Sequence, residues 1–470
     1  MPDGVADVAI IGAGVAGTAI ARTLAGYELD CVLIDAATDV GTGTSKANTA
    51  ILHTGFDAPP GSLETRLLRR GAPLLHDYAR AAGIPVERTG ALLIAWNRDE
   101  QAALPGIGEK ARRNGYTAIR PVGAAELYRR EPHLGPGALA ALEIPDESII
   151  CPWSTPLAFA TEAVRAGVRL LLGRRVTNVA SSGDGQYRLA LDGGPPVRCR
   201  WVVNAAGLHS DTVDRMFGCD GFTIRPRRGE LVVLDKLARP LVGSILLPVP
   251  TGRTKGVLVA PTVYGNVLVG PTADDIGDRS DLATTAGGLA AVLAAGHRVL
   301  PPLAGEEVTA TYAGLRAATE HRDYQIHVDA GRRYARVAGI RSTGLSASLG
   351  IAEHVTGLLG DAGLPLKERG TTQPPVMPYI GEARVRPYQD VSLIAADPEY
   401  GRIVCHCERV TRGEIRDALA STVPPADLAG LARRTRATNG RCQGFYCGAA
   451  VRALLAAGPA DGPAEGTVPS

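Results

Sequence analysis

Val8-Ala9-Ile10-Ile11-Gly12-Ala13-Gly14-Val15-Ala16-Gly17 joins an apolar run to three glycines spaced G-x-G-x-x-G. An apolar helical pattern continues to Leu24, and a second apolar run, Cys31-Val32-Leu33-Ile34, ends at Asp35, 23 residues after Gly12. Strand, tight turn, helix and strand in that order predict a doubly wound α/β unit. Each glycine has a mechanical purpose: Gly12 permits the turn, Gly14 lets backbone approach a pyrophosphate, and Gly17 lets helix and strand pack closely. The helix N-terminus then directs its N–H groups at phosphates. Asp35 stands where an acid accepts hydrogen bonds from ribose hydroxyls. The fingerprint alone does not distinguish one dinucleotide from another.

At 470 residues the chain is too long for one ordinary core, so two or three domains are expected. Apolar content of 45% with 57 glycines and 33 prolines fits a turn-rich α/β enzyme. A net charge of +2 and only 4% aromatic residues argue against nucleic acid as a partner. No signal peptide is evident before the first strand. The apolar stretch 284–305 is interrupted by His297, Arg298 and Pro301, which argues against a membrane span. A cytoplasmic protein is expected, peripheral to the inner membrane only through another subunit.

Further along, a helix with an arginine-rich polar face is predicted over 63–82 and a strand over 86–96. Residues 121–150 are broken by Pro and Gly. A helix over 156–166 leads to the strand Arg169–Leu172 and to an alternating segment, 187–203. Short β-rich runs between 226 and 330 predict an antiparallel sheet. Ala335–Ile340 then leads through a glycine-rich turn into a helix over 348–359.

Of eight cysteines, Cys31, Cys151, Cys199 and Cys219 are scattered and read as small buried hydrophobes. The other four form a C-x-C pair, Cys405 and Cys407, and a C-x4-C pair, Cys442 and Cys447, with 34 residues between the pairs. Four thiolates could wrap one inorganic centre, and zinc would accept them as readily as iron–sulfur. A module this small is also helped by a metal staple. Gly440 and Gly444 would let N–H groups approach the sulfurs. Arg433, Arg434, Arg436 and Arg441 surround the second pair, to offset cluster charge, dock a partner or form an ordinary solvated face. His406 lies between two ligands with its ring expected to point away.

The cysteine spacing resembles the [2Fe-2S] domain of bacterioferritin-associated ferredoxin. Asn204-Ala205-Ala206-Gly207 resembles the second FAD-binding strand end of the D-amino-acid-oxidase-like flavoproteins. Gly339-Ile340-Arg341-Ser342-Thr343-Gly344-Leu345-Ser346 resembles their flavin loop. Within that superfamily the segments Gly43–Phe56, Arg227-Arg228-Gly229-Glu230 and Gly256–Thr262 resemble FAD-dependent glycerol-3-phosphate dehydrogenases of the anaerobic large-subunit type, and L-2-hydroxyglutarate dehydrogenases. Aerobic members of the former carry a lysine in the flavin loop, which the equivalent stretch Gly339–Gly344 of this chain lacks.

The resemblance implies an FAD-binding domain assembled from 1–85, 145–220 and 331–364, and a β-rich substrate domain from 86–144 and 221–330. A linker over 365–399, a helical [2Fe-2S] domain over 400–457 and a disordered tail over 458–470 complete the expectation. Gly12, Gly14, Gly17, Asp35, Thr44, Ser45, Asn48, Val176, Ala206, Gly207, Gly339, Gly344 and Leu345 are the candidate FAD contacts. Oxidation of a secondary alcohol needs a base for the hydroxyl proton and cations for an anionic tail. His53 is the candidate imidazole and Arg316 the candidate anion clamp, its guanidinium being suited to bidentate contacts. Arg253, Lys255 and Arg341 are further candidates for substrate contact. His209 reads as helix-end packing.

The expected activity is oxidation of glycerol 3-phosphate, with electrons leaving through the cluster to an acceptor protein or to a quinone-linked subunit in a hetero-oligomer. L-2-hydroxyglutarate or another 2-hydroxy acid is the alternative substrate, and an amino or imino acid the third. A non-catalytic electron carrier or redox sensor is the alternative of a different class.

Overall fold

The N-terminal apolar run forms β1 (Ala6–Ile11) and is buried at nearly every position. Parallel strands covered on both faces need such unbroken apolar sequence. The computed structural model describes residues 4–182, 185–250, 256–370 and 372–458. Arg253, Lys255 and all but the first residue of the expected tail lie outside the described residues. The chain divides into two compact units, Met1–Met377 and Pro378–Ser470.

In the first unit β1 leads into α1 (Val15–Leu24) and then β2 (Cys31–Ile34), which pairs parallel with β1, Val8 opposite Cys31 and Ile11 opposite Ile34. After α2 (Leu63–Ala81), the chain returns on the other side of β1 as β3 (Val197–Asn204), again parallel, with Ile11 opposite Asn204. The C-terminal half of β3 takes a further parallel neighbour, β4 (Tyr334–Ala338). The strand Arg169–Leu171 closes the β2 side, and the remaining strands of this eight-stranded sheet pair antiparallel. The buried helix α3 (Gly344–Asp361) packs on both α1 and α2. Gly350 makes the second contact possible, because a Cβ there would sit 2.4 Å from the Leu67 carbonyl oxygen.

The second sheet of this unit has nine strands and draws in 91–95, 120–123 and 140–144 besides the strands between 225 and 318. It is antiparallel as expected except where Ile245–Pro248 runs parallel to Ala91–Ala95. Its longest pair is Arg225–Leu234 with Val308–Ala318, placing Arg227 opposite Arg316. Helix Ala286–Val299 covers the sheet, its Val292 and Val299 packing with Val232 and Val269. Glu230 is buried and bonds the Thr285 N–H and hydroxyl at the N-terminus of that helix. Strand Gln325–Asp329 belongs to the first sheet, where it pairs with β4.

The second unit holds a short hairpin, Ile403–Cys405 with Val410–Thr411, and helices Arg412–Leu419, Leu428–Thr435 and Gly448–Ala457. Thr411 and Glu414 cap the first helix reciprocally, and Asp427 caps the second. Cys405, Ile415, Leu431, Cys447 and Val451 share its core. Residues 378–399 belong to this unit instead of forming a free linker. Arg386 is 2% exposed and donates to Glu414 at 3.0 Å. A buried ion pair has no apolar periodicity, so composition alone hid this anchoring. Arg386→Met strands the Glu414 charge and is expected to cost about 3–5 kcal/mol, checked by a lower melting temperature of this unit. Among the described residues no helix is long and apolar enough to cross a membrane.

Candidate functional site

Gly12 follows β1 at φ +107°, and a Cβ on it would lie 2.4 Å from the Ala205 carbonyl oxygen. A Cβ on Gly17 would fall 1.8 Å from the Gly12 oxygen, whereas one on Gly14 would meet only Ser45 Oγ, at 3.3 Å. Gly12 and Gly17 therefore serve close packing of the chain on itself, and Gly14 serves the open side. Gly14 makes no side-chain cap on α1. The Val15 N–H donates to Ser45 Oγ at 2.9 Å. Asp35 accepts from the N–H groups of Ala13, at 2.6 Å, and Ala37, at 2.8 Å. Burial raises the Asp35 carboxyl pKa, and those two N–H groups oppose the shift.

The other candidate dinucleotide positions follow one rule. β4, β3 and β1 are successive parallel neighbours, and each is followed within three residues by a glycine of positive φ: Gly339 at +69°, Gly207 at +55° and Gly12 at +107°. Ligands of open α/β sheets bind beyond such carboxyl ends. Asn204 fixes the β3 end, donating to the Ser210 carbonyl and the Tyr334 hydroxyl and accepting from the Ala206 N–H. Gly344 and buried Leu345 open α3 just after Gly339. Val176 is buried at the start of strand Val176–Ser181. His209 lies in the field of Asp35, and burial with Arg175 and Arg279 lowers its pKa.

The segment 44–54 lies against this crevice. Thr44 Oγ1 donates to the Leu315 carbonyl at 2.7 Å. Asn48 donates to the Ser45 carbonyl and accepts from the N–H of Ala50, which has φ +56°. Together the glycine cradle, the start of α1 without a side-chain cap, the anchored acid and these strand ends fit an extended dinucleotide. Gly17→Val collides with the Gly12 carbonyl, so this variant is expected to purify without flavin, checked by visible absorbance.

Glu64 had no motif to mark it. It is buried on α2 and accepts from the Thr343 hydroxyl at 2.7 Å, with Arg341 at 3.5 Å from its other oxygen. Arg341 also donates to the Arg322 carbonyl, so protein groups already hold its guanidinium.

His53 is placed by its N–H, which donates to Ser346 Oγ at the start of α3. Its Nδ1 stands 2.9 Å from Glu147 Oε2. Glu147 is 0% exposed, and its other oxygen accepts from the Thr54 N–H at 2.7 Å and the Thr54 hydroxyl at 2.9 Å. The carboxylate therefore favours the tautomer protonated on Nδ1. His53 also borders a cleft of about 430 Å³ walled in part by Arg69, His76, Arg88 and Tyr116.

Strand Val308–Ala318 crosses the 44–48 segment: Tyr312 donates to the Asn48 carbonyl, and a Cβ on Gly314 would meet the Ala47 oxygen at 2.0 Å. Arg316 follows directly, half-buried, donating to the Thr272 carbonyl at 3.3 Å. Arg227 and Arg228, on the paired strand, have carboxylate partners in Asp275 and in Glu230 with Asp281. Among the described residues Arg316 has no such partner. Burial, with Arg227 nearby, lowers its pKa. A desolvated cation left without a counter-charge is suited to an anionic ligand.

In the second unit the four clustered thiols come together in two pairs, Cys405 with Cys447 and Cys407 with Cys442. Among the described residues no group of three or more His, Cys, Asp or Glu is disposed to hold a single metal ion. The two thiol pairs supply the four sulfurs a two-iron centre takes. Gly440 is required where it stands, since a Cβ would come 2.3 Å from the Cys407 Cβ. The N–H groups of Tyr446, Gly444 and Phe445 face the Cys442 sulfur and help lower its pKa. Such donors also tune a cluster's potential. Arg434 and Arg436 are buried, Arg434 on the Val423 and Gly430 carbonyls and Arg436 on Glu408, so neither forms a solvated face. Of the scattered cysteines, Cys31, Cys151 and Cys199 are buried and Cys219 is only partly so; burial pushes the Cys31 and Cys199 thiols up to about 12.

Residues 7–358 match the family of FAD dependent oxidoreductases, and residues 403–457 match the BFD-like [2Fe-2S] binding domain. The chain is 35% identical to a glycerol 3-phosphate dehydrogenase of Caloramator mitchellensis over 96% of its own length and 94% of that protein's. It is 29% identical to the mitochondrial L-2-hydroxyglutarate dehydrogenase of Homo sapiens over 57% of this chain and 60% of that one. Among solved structures, the FAD-bound L-alpha-glycerophosphate oxidase of Mycoplasma pneumoniae superposes with a TM-score of 0.75 at 26% identity, over 79% of this chain and 98% of that one.

Proposed function

The chain belongs to the FAD dependent oxidoreductase family and carries a BFD-like [2Fe-2S] binding domain, and on that premise we propose that it oxidises glycerol 3-phosphate to dihydroxyacetone phosphate and sends the electrons out through the cluster. The similarity to a glycerol 3-phosphate dehydrogenase over 96% of the chain, both units included, carries this reading. The similarity to an L-2-hydroxyglutarate dehydrogenase stops at 57%.

Bound FAD supplies a hydride acceptor, and a [2Fe-2S] cluster on Cys405, Cys407, Cys442 and Cys447 supplies a one-electron exit. In this reading Arg316 holds the phosphate by a charge-assisted, bidentate contact and so fixes the carbon chain. His53 accepts the C2 hydroxyl proton on Nε2 as the C2–H bond breaks. Glu147 keeps the imidazole oriented and stabilises the cation it becomes. The cleft beside His53 gives that proton a way to solvent. Glu64 keeps Arg341 and Thr343 in place within the flavin loop.

Anaerobic mixing with glycerol 3-phosphate should bleach the flavin band, followed by reduction of the cluster absorption. A flavin that stays oxidised with glycerol 3-phosphate but bleaches with L-2-hydroxyglutarate would overturn the substrate.

A further inference from the structure

The chain has five phenylalanines. Phe56, Phe159, Phe217 and Phe222 are buried, as the hydrophobic effect requires, but Phe445 is 96% exposed and its neighbour Tyr446 is 72% exposed. Both lie between Cys442 and Cys447. They are held there by structure. The Phe445 N–H donates to the Cys442 carbonyl, the Gly448 N–H to the Gly444 carbonyl, and Gly444 takes φ +82°. The Tyr446 ring meets exposed His406 edge-on, with centroids 5.0 Å apart. The aromatic rim thus borders the half-buried thiols Cys407 and Cys442.

The charge of this unit leans to the basic side. Residues 378–458 contain eleven arginines and no lysine against eight acids, and Glu399 and Asp397 are taken up by Arg412 and Arg416. Two of the acids, Glu408 and Glu414, are buried on Arg436 and Arg386. Arg441, beside Cys442, and Arg452, one turn beyond Gly448, are exposed. An exposed aromatic centre with an arginine rim has the composition of a protein interface. A small quinone wants a concave pocket, whereas a side chain 96% exposed stands out from the surface.

We infer that Phe445, Tyr446 and the arginines beside them are the docking face for a soluble one-electron carrier protein with an acidic surface. This rests on the reading that electrons leave through the cluster. Oxidation of one secondary alcohol to a ketone releases two electrons and two protons. Two carriers leave with one electron each, and both protons go to solvent.

The test uses the holoenzyme with glycerol 3-phosphate and three oxidants: c-type cytochrome, the same cytochrome with its lysines succinylated to make it acidic, and menadione. The acidic form should be reduced at least tenfold faster than the basic form at low salt, and the difference should shrink as salt rises. Phe445→Ser with Tyr446→Ser should raise KM for the acidic carrier at least tenfold, leaving anaerobic flavin bleaching and turnover with menadione unchanged. Arg452→Glu should reverse part of the charge preference, a second arm independent of the aromatics. Equal rates with both cytochromes would overturn the proposal, as would an aromatic variant with unaltered KM. An aromatic variant that loses menadione turnover while keeping flavin bleaching would overturn it in favour of a quinone site. If substrate bleaches the flavin but never reduces the cluster, the failure lies instead in the electron path on which the proposal rests.

Discussion

Arg316→Met is expected to lower kcat/KM for glycerol 3-phosphate by about 30- to 4,000-fold, with flavin and iron content unchanged. Truncating one partner of a buried, hydrogen-bonded charge pair costs about 2–5 kcal/mol, and about 1.4 kcal/mol is a factor of ten. The upper part of that range fits this site because Arg316 donates to the Thr272 carbonyl and has no carboxylate partner among the described residues. Arg227 and Arg228 cannot take over without leaving Asp275, Asp281 and Glu230 behind. Arg316→Lys keeps the charge but loses the planar pair of donors, so it should recover part of the loss. Steady-state kinetics over a range of substrate concentration checks both variants. A larger effect on KM than on kcat would mark Arg316 as a binding group, and equal effects on kcat and kcat/KM would place its contact in the transition state.

What could be read in the sequence follows from how local each feature is. Gly12, Gly14, Gly17 and Asp35 fall within one β–α–β unit, where turn geometry and strand length fix their spacing. The four cysteines were legible for a similar reason, as two close pairs whose gap is filled by two short helices and their connections. Glu147 was not. It reaches His53 only because the strands Ile51–Leu52 and Ser148–Ile150 pair antiparallel across nearly a hundred residues of sequence. The available signal was an acid beside an apolar strand, Ser148-Ile149-Ile150, which singles out no partner. Glu64 was hidden similarly, as one acid on a helix whose polar face is rich in charge. The sequence marked Arg341 as a candidate without showing that Glu64 and the Arg322 carbonyl hold it. The expected linker failed for the reason Arg386 illustrates: a segment without apolar period can still be tied down by one buried charge.

The second large effect is expected at His53. His53→Asn removes the proposed base and should lower kcat by about 10²–10⁴-fold, read as the rate of flavin bleaching under substrate saturation. The more discriminating variant is Glu147→Gln, which changes the residue's shape very little. The Thr54 N–H can only donate, and it points at one Glu147 oxygen. A glutamine there must give its carbonyl to Thr54, which turns its NH₂ toward His53 Nδ1, 2.9 Å away in the parent protein. Nδ1 must then accept, so the ring proton moves to Nε2, where the base was. Glu147→Gln is therefore expected to lose nearly as much rate as His53→Asn, through the wrong tautomer, as occurs when the orienting acid of a serine-protease triad becomes an amide. Glu147→Ala frees the imidazole to sample both tautomers and should retain more activity than Glu147→Gln, despite removing more contacts. A merely structural role predicts the opposite order, with alanine the more damaging substitution. Flavin content and melting temperature measured on the same preparations separate the two explanations. If alanine proves worse in both rate and stability, Glu147 serves the fold and not the imidazole.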